Sequence, residues 1–226
     1  MRFKYNSIIF SIFVSFSFAI ACSAADLKPL QDWMQSLVDD NKVVGCMAQI
    51  TQDGNTIYLE AIGKRSPEAE DLLLPTQVVR IYSMTKAITS AAIMQLVEQG
   101  LIGIDDPVSF YIPEFADTPV YKELIDGVLV TEPLNRSVTL RDLATHTSGL
   151  SYAINSPNPV SDLYREKKIF PYYMIDKEGN SLGTKGYPSI CSLAKELSSL
   201  PLKHQPGTSW TYSVGMDVLG CVFEVA

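Results

Sequence analysis

The stretch from residue 83 to residue 100, SMTKAITSAAIMQLVEQG, constrains the fold of this chain more than any other. At helical spacing Ala87, Ile88, Ala91, Ala92, Met94, Leu96 and Val97 leave a helix apolar round most of its circumference. Gly100 stands where such a helix would stop. A helix of this kind needs cover on several sides, so it is expected to be buried in a sizeable core. Upstream, Leu30, Trp33, Met34, Leu37 and Val38 repeat at helical spacing within residues 27–42. Two strand candidates come next, 43–51 and 55–62, joined by Asp53-Gly54, a hairpin signal because glycine accepts the positive φ of a tight turn. Helix followed by antiparallel hairpin predicts an α+β domain rather than a βαβ start.

Downstream the punctuation changes. Residues 64–75 read as a polar loop, and Pro107, Pro113, Pro119 and Pro133 break 105–133 into expected short helices and loops. A short helix is predicted over 138–144, with Thr139 as N-cap and Ser148-Gly149 as its end. Residues 151–188, rich in Tyr, Pro, Gly, Asn and Ser, are too long for an ordinary loop and read as the edge of a helical insertion. The aromatic part of it, 164–187, is a candidate cleft lining, with plain loop packing as the alternative. An amphipathic helix is expected over 189–200, a turn at Pro206-Gly207, and an apolar helix over 212–226.

The N-terminus is different material. Arg2 and Lys4 precede an apolar run over 8–21, too short to span a bilayer comfortably, and Ala19-Ile20-Ala21 offers a small-x-small cleavage site. Residues 1–21 are therefore expected to be a signal peptide, and the mature domain to occupy 22–226 of an exported, periplasmic or secreted protein. Cys22 follows the cleavage site directly and is the position a lipid anchor would take. Ala19 stands where a lipobox carries a larger aliphatic residue, so soluble export is favoured over lipidation. With 46% hydrophobic and 19% charged residues the remainder is globular in composition. The net charge of −7 argues against nucleic acid as a partner, since phosphate binding needs a basic face. Cys46, Cys191 and Cys221 are too few for a disulfide framework and match no metal spacing; they are expected to be buried, with at most one bridge. Two histidines, His146 and His204, exclude an HExxH zinc site, and no cofactor or metal is expected.

Ser83-Met84-Thr85-Lys86 is an S-x-x-K at the head of the apolar helix. Spacing of i and i+3 sets both side chains on one face, about 5–6 Å apart at Cβ. A serine becomes a nucleophile when a base takes its proton. A lysine can be that base if an apolar surround lowers its pKa, and the helix supplies one. The motif alone is weak, for roughly one chance copy is expected in a chain this long. Ser192-Leu193-Ala194-Lys195 is a second copy, in more polar surroundings, and reads as a surface pair.

Three longer segments carry more information: YSMTKAITSAAIMQLVEQGLIGIDDPVSFYIPEF (82–115), TLRDLATHTSGL (139–150) and PGTSWTYSVGMDVLG (206–220). In order and spacing they resemble class C β-lactamases and their esterase relatives. The resemblance implies a β-lactamase/transpeptidase-like fold: an antiparallel sheet packed with helices, plus an inserted helical domain. It implies Ser83 as nucleophile, Lys86 as the residue that orients it and shares its proton, and Tyr212 as general base or relay. It also implies a small-molecule ester or amide substrate processed through an acyl-enzyme.

Two departures bear on function. The lactamases carry Tyr-x-Asn, whose asparagine holds the lactam side-chain amide; here the third residue is Val214, as in the esterase branch, so carboxylesterase is favoured. The family's last motif, Lys-Thr-Gly or its equivalent, belongs on a strand well after the tyrosine and is not met before Ala226. Thr184-Lys185-Gly186 lies before Tyr212, in the wrong order. From this we expect a C-terminally truncated relative lacking one oxyanion-hole donor. The alternatives are a β-lactamase or D-Ala-D-Ala peptidase on the same site, or a non-catalytic binding protein or inactive remnant. No G-x-S-x-G supports an α/β-hydrolase. His146 reads as a helix-end residue bonding last-turn carbonyls rather than as a triad base, and Tyr212 without its surroundings would read as a packed tyrosine.

Overall fold

The computed structural model describes residues 26–169 and 186–226. The signal-peptide expectation, Cys22 and Thr184-Lys185 lie outside the described residues. By contacts the chain divides into two units, Met1–Arg80 and Ile81–Ala226.

In the first unit, α1 (Lys28–Asp39) packs on a hairpin of β1 (Gly45–Gln52) and β2 (Asn55–Gly63). The strands pair antiparallel from Gly45↔Gly63 to Gln52↔Asn55. Asp53 and Gly54 at the turn both have positive φ (49° and 78°), the twist that suits a two-residue hairpin. Met34 is the buried anchor of α1, with the Tyr58 hydroxyl 3.8 Å from its sulfur.

The second unit opens with a single 3₁₀ turn, Tyr82–Met84, that runs into α2 (Thr85–Glu98). The helix ends as its sequence predicts. Gly100 adopts φ +70° while its N–H bonds the Val97 carbonyl and that of Leu101 bonds Leu96, a Schellman stop. The expectation that α2 is buried does not hold. Ile93 is its one fully buried residue, and Ile88 is 62% exposed. A helix apolar on all sides needs cover on all sides, and within this unit the helix packed on it is α6 (Gly215–Val225), along the line where Ser90 Oγ meets Met216 Sδ at 3.6 Å.

Residues 105–133, expected as short helices and loops, hold two 3₁₀ turns and also a hairpin, β3 (Val120–Ile125) with β4 (Val128–Glu132). Its turn is Asp126-Gly127, again with two positive φ values. The prolines at 119 and 133 flank the hairpin instead of breaking it. Three short helices come after it: α3 (Leu140–Ala144), α4 (Pro159–Glu166) and α5 (Ile190–Ser198). Their shared core with α2 and α6 includes Ile93, Phe115, Leu143, Tyr164, Leu197 and Leu219. Tyr164 is wholly buried, its oxygen accepting from the Ser151 N–H, so it belongs to this core and not to a cleft. Among the described residues, the Cys191–Cys221 disulfide ties α5 to α6, within the limit of one bridge, and Cys46 is free; Cys221 is buried as expected, but Cys46 and Cys191 are only half-buried.

The corner after α3 is held by a buried carboxylate. Thr139 caps the helix in a reciprocal box with Asp142, as its position suggested. Asp142, nearly buried, also takes a bidentate pair from Arg136 (2.5 and 2.9 Å) and the Thr147 hydroxyl (3.2 Å). Burial alone would push this carboxyl up; the Arg136 and Thr139 donors outweigh it and hold it below the usual range. The helix does not run to Ser148-Gly149. It closes on His146, whose N–H bonds Leu143 while that of Thr147 bonds Asp142. His146 thus occupies the left-handed position, φ 59°, that glycine usually fills in such a stop. For a residue with a Cβ that conformation costs roughly 1–2 kcal/mol.

Candidate active site

Three pieces of the second unit converge. The first is the turn at the head of α2. Tyr82, at φ 44°, is in a conformation rare for an aromatic residue, and it sends the chain into the 3₁₀ turn with Ser83 exposed. Lys86 comes one turn later and is half-buried, its Nζ 3.4 Å from Ser83 Oγ. The second piece is the extended segment before α6. The Pro206-Gly207 turn redirects the chain, and the Tyr212 hydroxyl reaches Ser83 Oγ at 2.7 Å. The close entry of α6 depends on Gly215, where a Cβ would stand 2.8 Å from the Leu143 carbonyl oxygen. The third piece is the corner at His146, whose ring lies against Tyr212 with centroids 4.8 Å apart.

Ser83, Lys86 and Tyr212, singled out from the sequence, are therefore brought together. The apolar surround of Lys86 includes two aromatic faces from outside the helix, with Nζ 4.9 Å from the Tyr212 centroid and 6.0 Å from that of Tyr152. Such faces attract an ammonium. Burial pushes the Tyr212 phenol up, but the Lys86 ammonium and the Ser83 hydroxyl outweigh it, so the phenol sits below its ordinary value of 10.0.

The rest of the sequence expectations can be placed as well. Ser192 is spent on the cap of α5: its hydroxyl donates to the Ser189 carbonyl (2.7 Å) and accepts from the Ser189 N–H (3.2 Å). Lys195 pairs with Glu114 at 3.0 Å. The second S-x-x-K is thus a structural pair. Val214 is buried and its N–H bonds the Ser151 carbonyl, so it offers no amide-binding group. The imidazole of His146 bonds Ser213, not the last-turn carbonyls of α3.

Tyr152, Asn155 and Asp217 join the site without having been marked in the sequence. Tyr152 stands edge-on to Tyr212 at 5.6 Å, and the Asn155 side chain donates to the Tyr212 carbonyl at 2.9 Å. Asp217, in the first turn of α6, has its carboxyl pushed up by burial, with the charge of Lys86 pulling the other way. An acid five residues after the tyrosine, at the start of an apolar helix, was the available signal. Among the described residues no cluster of three or more His, Cys, Asp or Glu is arranged to hold a metal.

The fold and this constellation define an S-x-x-K protein of β-lactamase/transpeptidase-like architecture. The Beta-lactamase family model matches residues 30–226, and the chain belongs to that family. It is 32% identical to esterase EstB of Burkholderia gladioli over 94% of this chain and 47% of that one. It is 30% identical to monacolin J acid methylbutanoyltransferase of Aspergillus terreus over 91% of this chain and 48% of that one. Among solved structures it resembles EstCE1, a hydrolase with promiscuous acyltransferase activity, at a TM-score of 0.65 and 28% identity, covering 86% of this chain and 45% of that one. The chain spans about half the length of the curated relatives it matches.

Proposed function

We propose that this protein is an exported serine hydrolase of carboxylesterase type, working through an acyl-enzyme on Ser83. The observation that carries the reading is the 2.7 Å contact between Tyr212 and Ser83 Oγ, made by a phenol whose acidity is raised beside Lys86. Ionised Tyr212 takes the Ser83 proton as Oγ attacks the ester carbonyl carbon. The tetrahedral adduct collapses, the C–O bond to the leaving group breaks, and Tyr212 returns the proton to the departing alkoxide. Water then attacks the acyl-serine, Tyr212 takes its proton, and the acid leaves as Ser83 is reprotonated. Lys86, beside the phenol, favours its ionised form. With an alcohol in place of water the same cycle transfers the acyl group, a second reading supported by the transferase among the relatives.

Esters are favoured over β-lactams because Val214 stands where an amide-binding asparagine would be needed. The protein should turn over short-chain aryl esters at least about tenfold better, in kcat/KM, than penicillins or cephalosporins. A lactam whose side-chain amide meets Val214 would be buried without a hydrogen-bond partner, a cost of about 1–3 kcal/mol that corresponds to a roughly tenfold or larger preference. Equal efficiency on a cephalosporin would move the protein among the lactamases.

Export rests on the layout of residues 1–21 and agrees with a disulfide, which persists in oxidising compartments. The mass of the mature product from cells should correspond to cleavage after Ala21, without lipid on Cys22. An intact N-terminus would overturn export, and a mass increment of two or three acyl chains would make Cys22 an anchor.

A further inference from the structure

We infer that His146 is the positioning residue for Tyr212: held neutral with its proton on Nε2, it clamps three successive residues and aims the phenol at Ser83. This rests on the serine-hydrolase reading and adds a residue to it.

The clamp is made of three separate contacts. The His146 carbonyl accepts from the Thr211 N–H at 2.9 Å. The imidazole face lies against the Tyr212 ring at 4.8 Å, tilted by 50°. Nδ1 receives the Ser213 N–H at 3.3 Å and lies 3.2 Å from the Ser213 hydroxyl. A backbone N–H can only donate, so Nδ1 must present its lone pair, and the neutral ring carries its proton on Nε2. The Asn155 side chain holds the Tyr212 carbonyl from another direction, so the peptide on either side of the phenol is fixed.

The backbone of His146 points the same way. A Schellman stop favours glycine at its left-handed residue, and this one carries a bulky ring at φ 59°. The corner is braced by Asp142, which bonds Thr147 on the far side through both its carbonyl and its carboxylate. Strain that a glycine would avoid is retained where the side chain that causes it reaches the reacting group.

The clamp is pH-sensitive by construction. Protonation would place a hydrogen on Nδ1 against the Ser213 N–H, donor facing donor, and leave only the Ser213 hydroxyl able to accept it. The charged and titratable groups on the surrounding elements are Lys86 on α2, Tyr212 in the clamped segment, His204 bonded to Thr211 Oγ1, Asp217 on α6, and Asp142, whose carboxylate is engaged by Arg136. Burial, and then the charge of Lys86, push the imidazole below its ordinary 6.5. The neutral ring is therefore favoured at pH 7, and the clamp is released as pH falls below 6.5.

His146→Gly removes the ring and relieves the backbone, and His146→Asn keeps a residue that tolerates the conformation and can still accept from Ser213. Both should fold, and His146→Gly should melt near wild type, because relief of the backbone offsets the lost ring contacts and the Ser213 N–H left without its acceptor. In both, the rate of Ser83 labelling by a fluorophosphonate at pH 8 should fall about tenfold, as expected for a reacting group turned out of line. Tyr212 still lowers the rate with falling pH in every form, so what should disappear in the variants is the additional steepening below pH 6.5 that His146 imposes on the wild-type profile. Nitrogen NMR of the wild-type protein supplies a readout independent of labelling: His146 should be the Nε2–H tautomer, with a titration midpoint below 6.5. An Nδ1–H tautomer, a midpoint at or above 6.5, or variants that keep the wild-type rate and that steepening would overturn the inference. A wild-type protein whose Ser83 never labels would sink the serine-hydrolase reading, while the tautomer and midpoint would still decide the clamp.

Discussion

Ser83→Ala should abolish covalent labelling by a fluorophosphonate and reduce ester hydrolysis to the uncatalysed background, whereas Ser192→Ala should leave both unchanged. The two serines share a motif, and the difference lies in what holds each hydroxyl. Ser83 Oγ is exposed on a strained turn, 2.7 Å from a phenol of raised acidity and 3.4 Å from an ammonium. It has a phenol in hydrogen-bond reach, the base of the proposed mechanism, and a route to solvent. Ser192 Oγ is bonded to both backbone groups of Ser189 in a capping box, and Lys195 is turned to Glu114. Losing that side chain removes half of a helix cap, a matter of about 1 kcal/mol in stability. It removes nothing from the chemistry. Peptide mapping of the labelled protein separates the sites directly, and label recovered on Ser192, or retained after Ser83→Ala, would remove Ser83 from the proposed mechanism.

How much of the fold and site is legible in the sequence depends on whether the signal is local. The first hairpin announces itself through Asp53-Gly54, because a two-residue turn dictates its own chemistry. Asp126-Gly127 carries the same dipeptide, yet the surrounding prolines point to loops and hide β3 and β4. Pro119 and Pro133 only bound that hairpin, as prolines may at strand ends. Gly100 and Thr139 are readable as helix ends for the same local reason. His146 is not, since nothing in a sequence marks a histidine that will sit in a glycine's conformation. The trio of Ser83, Lys86 and Tyr212 is found through flanking segments rather than through spacing, because 129 residues separate the contacting pair. What surrounds Lys86 is not readable at all. The apolar helix suggests that its own residues supply the surround, and the rings of Tyr152 and Tyr212 that meet the ammonium come from elsewhere in the chain.

Tyr212→Phe and Lys86→Ala should each lower ester turnover by about 10²-fold or more, the usual worth of a positioned acid–base group, but they should do so differently. Tyr212→Phe keeps the ring that packs on His146, Tyr152 and Lys86 and deletes only the hydroxyl. Its thermal stability should stay near wild type, and its loss should fall on kcat at every pH. Lys86→Ala leaves the base in place but removes the charge that helps hold its pKa down. With burial and Asp217 then unopposed by that charge, the phenol should titrate higher than in the wild type. The rising limb of kcat/KM against pH should therefore move to higher pH, and activity should be partly regained in alkaline buffer. The double variant should be little worse than either single one, because the two side chains act on a single proton. A pH profile for Lys86→Ala that is lowered but unshifted would mean that Lys86 orients Ser83 without tuning Tyr212. Full activity in Tyr212→Phe would mean that another group takes the proton, and the base assigned to this site would be wrong.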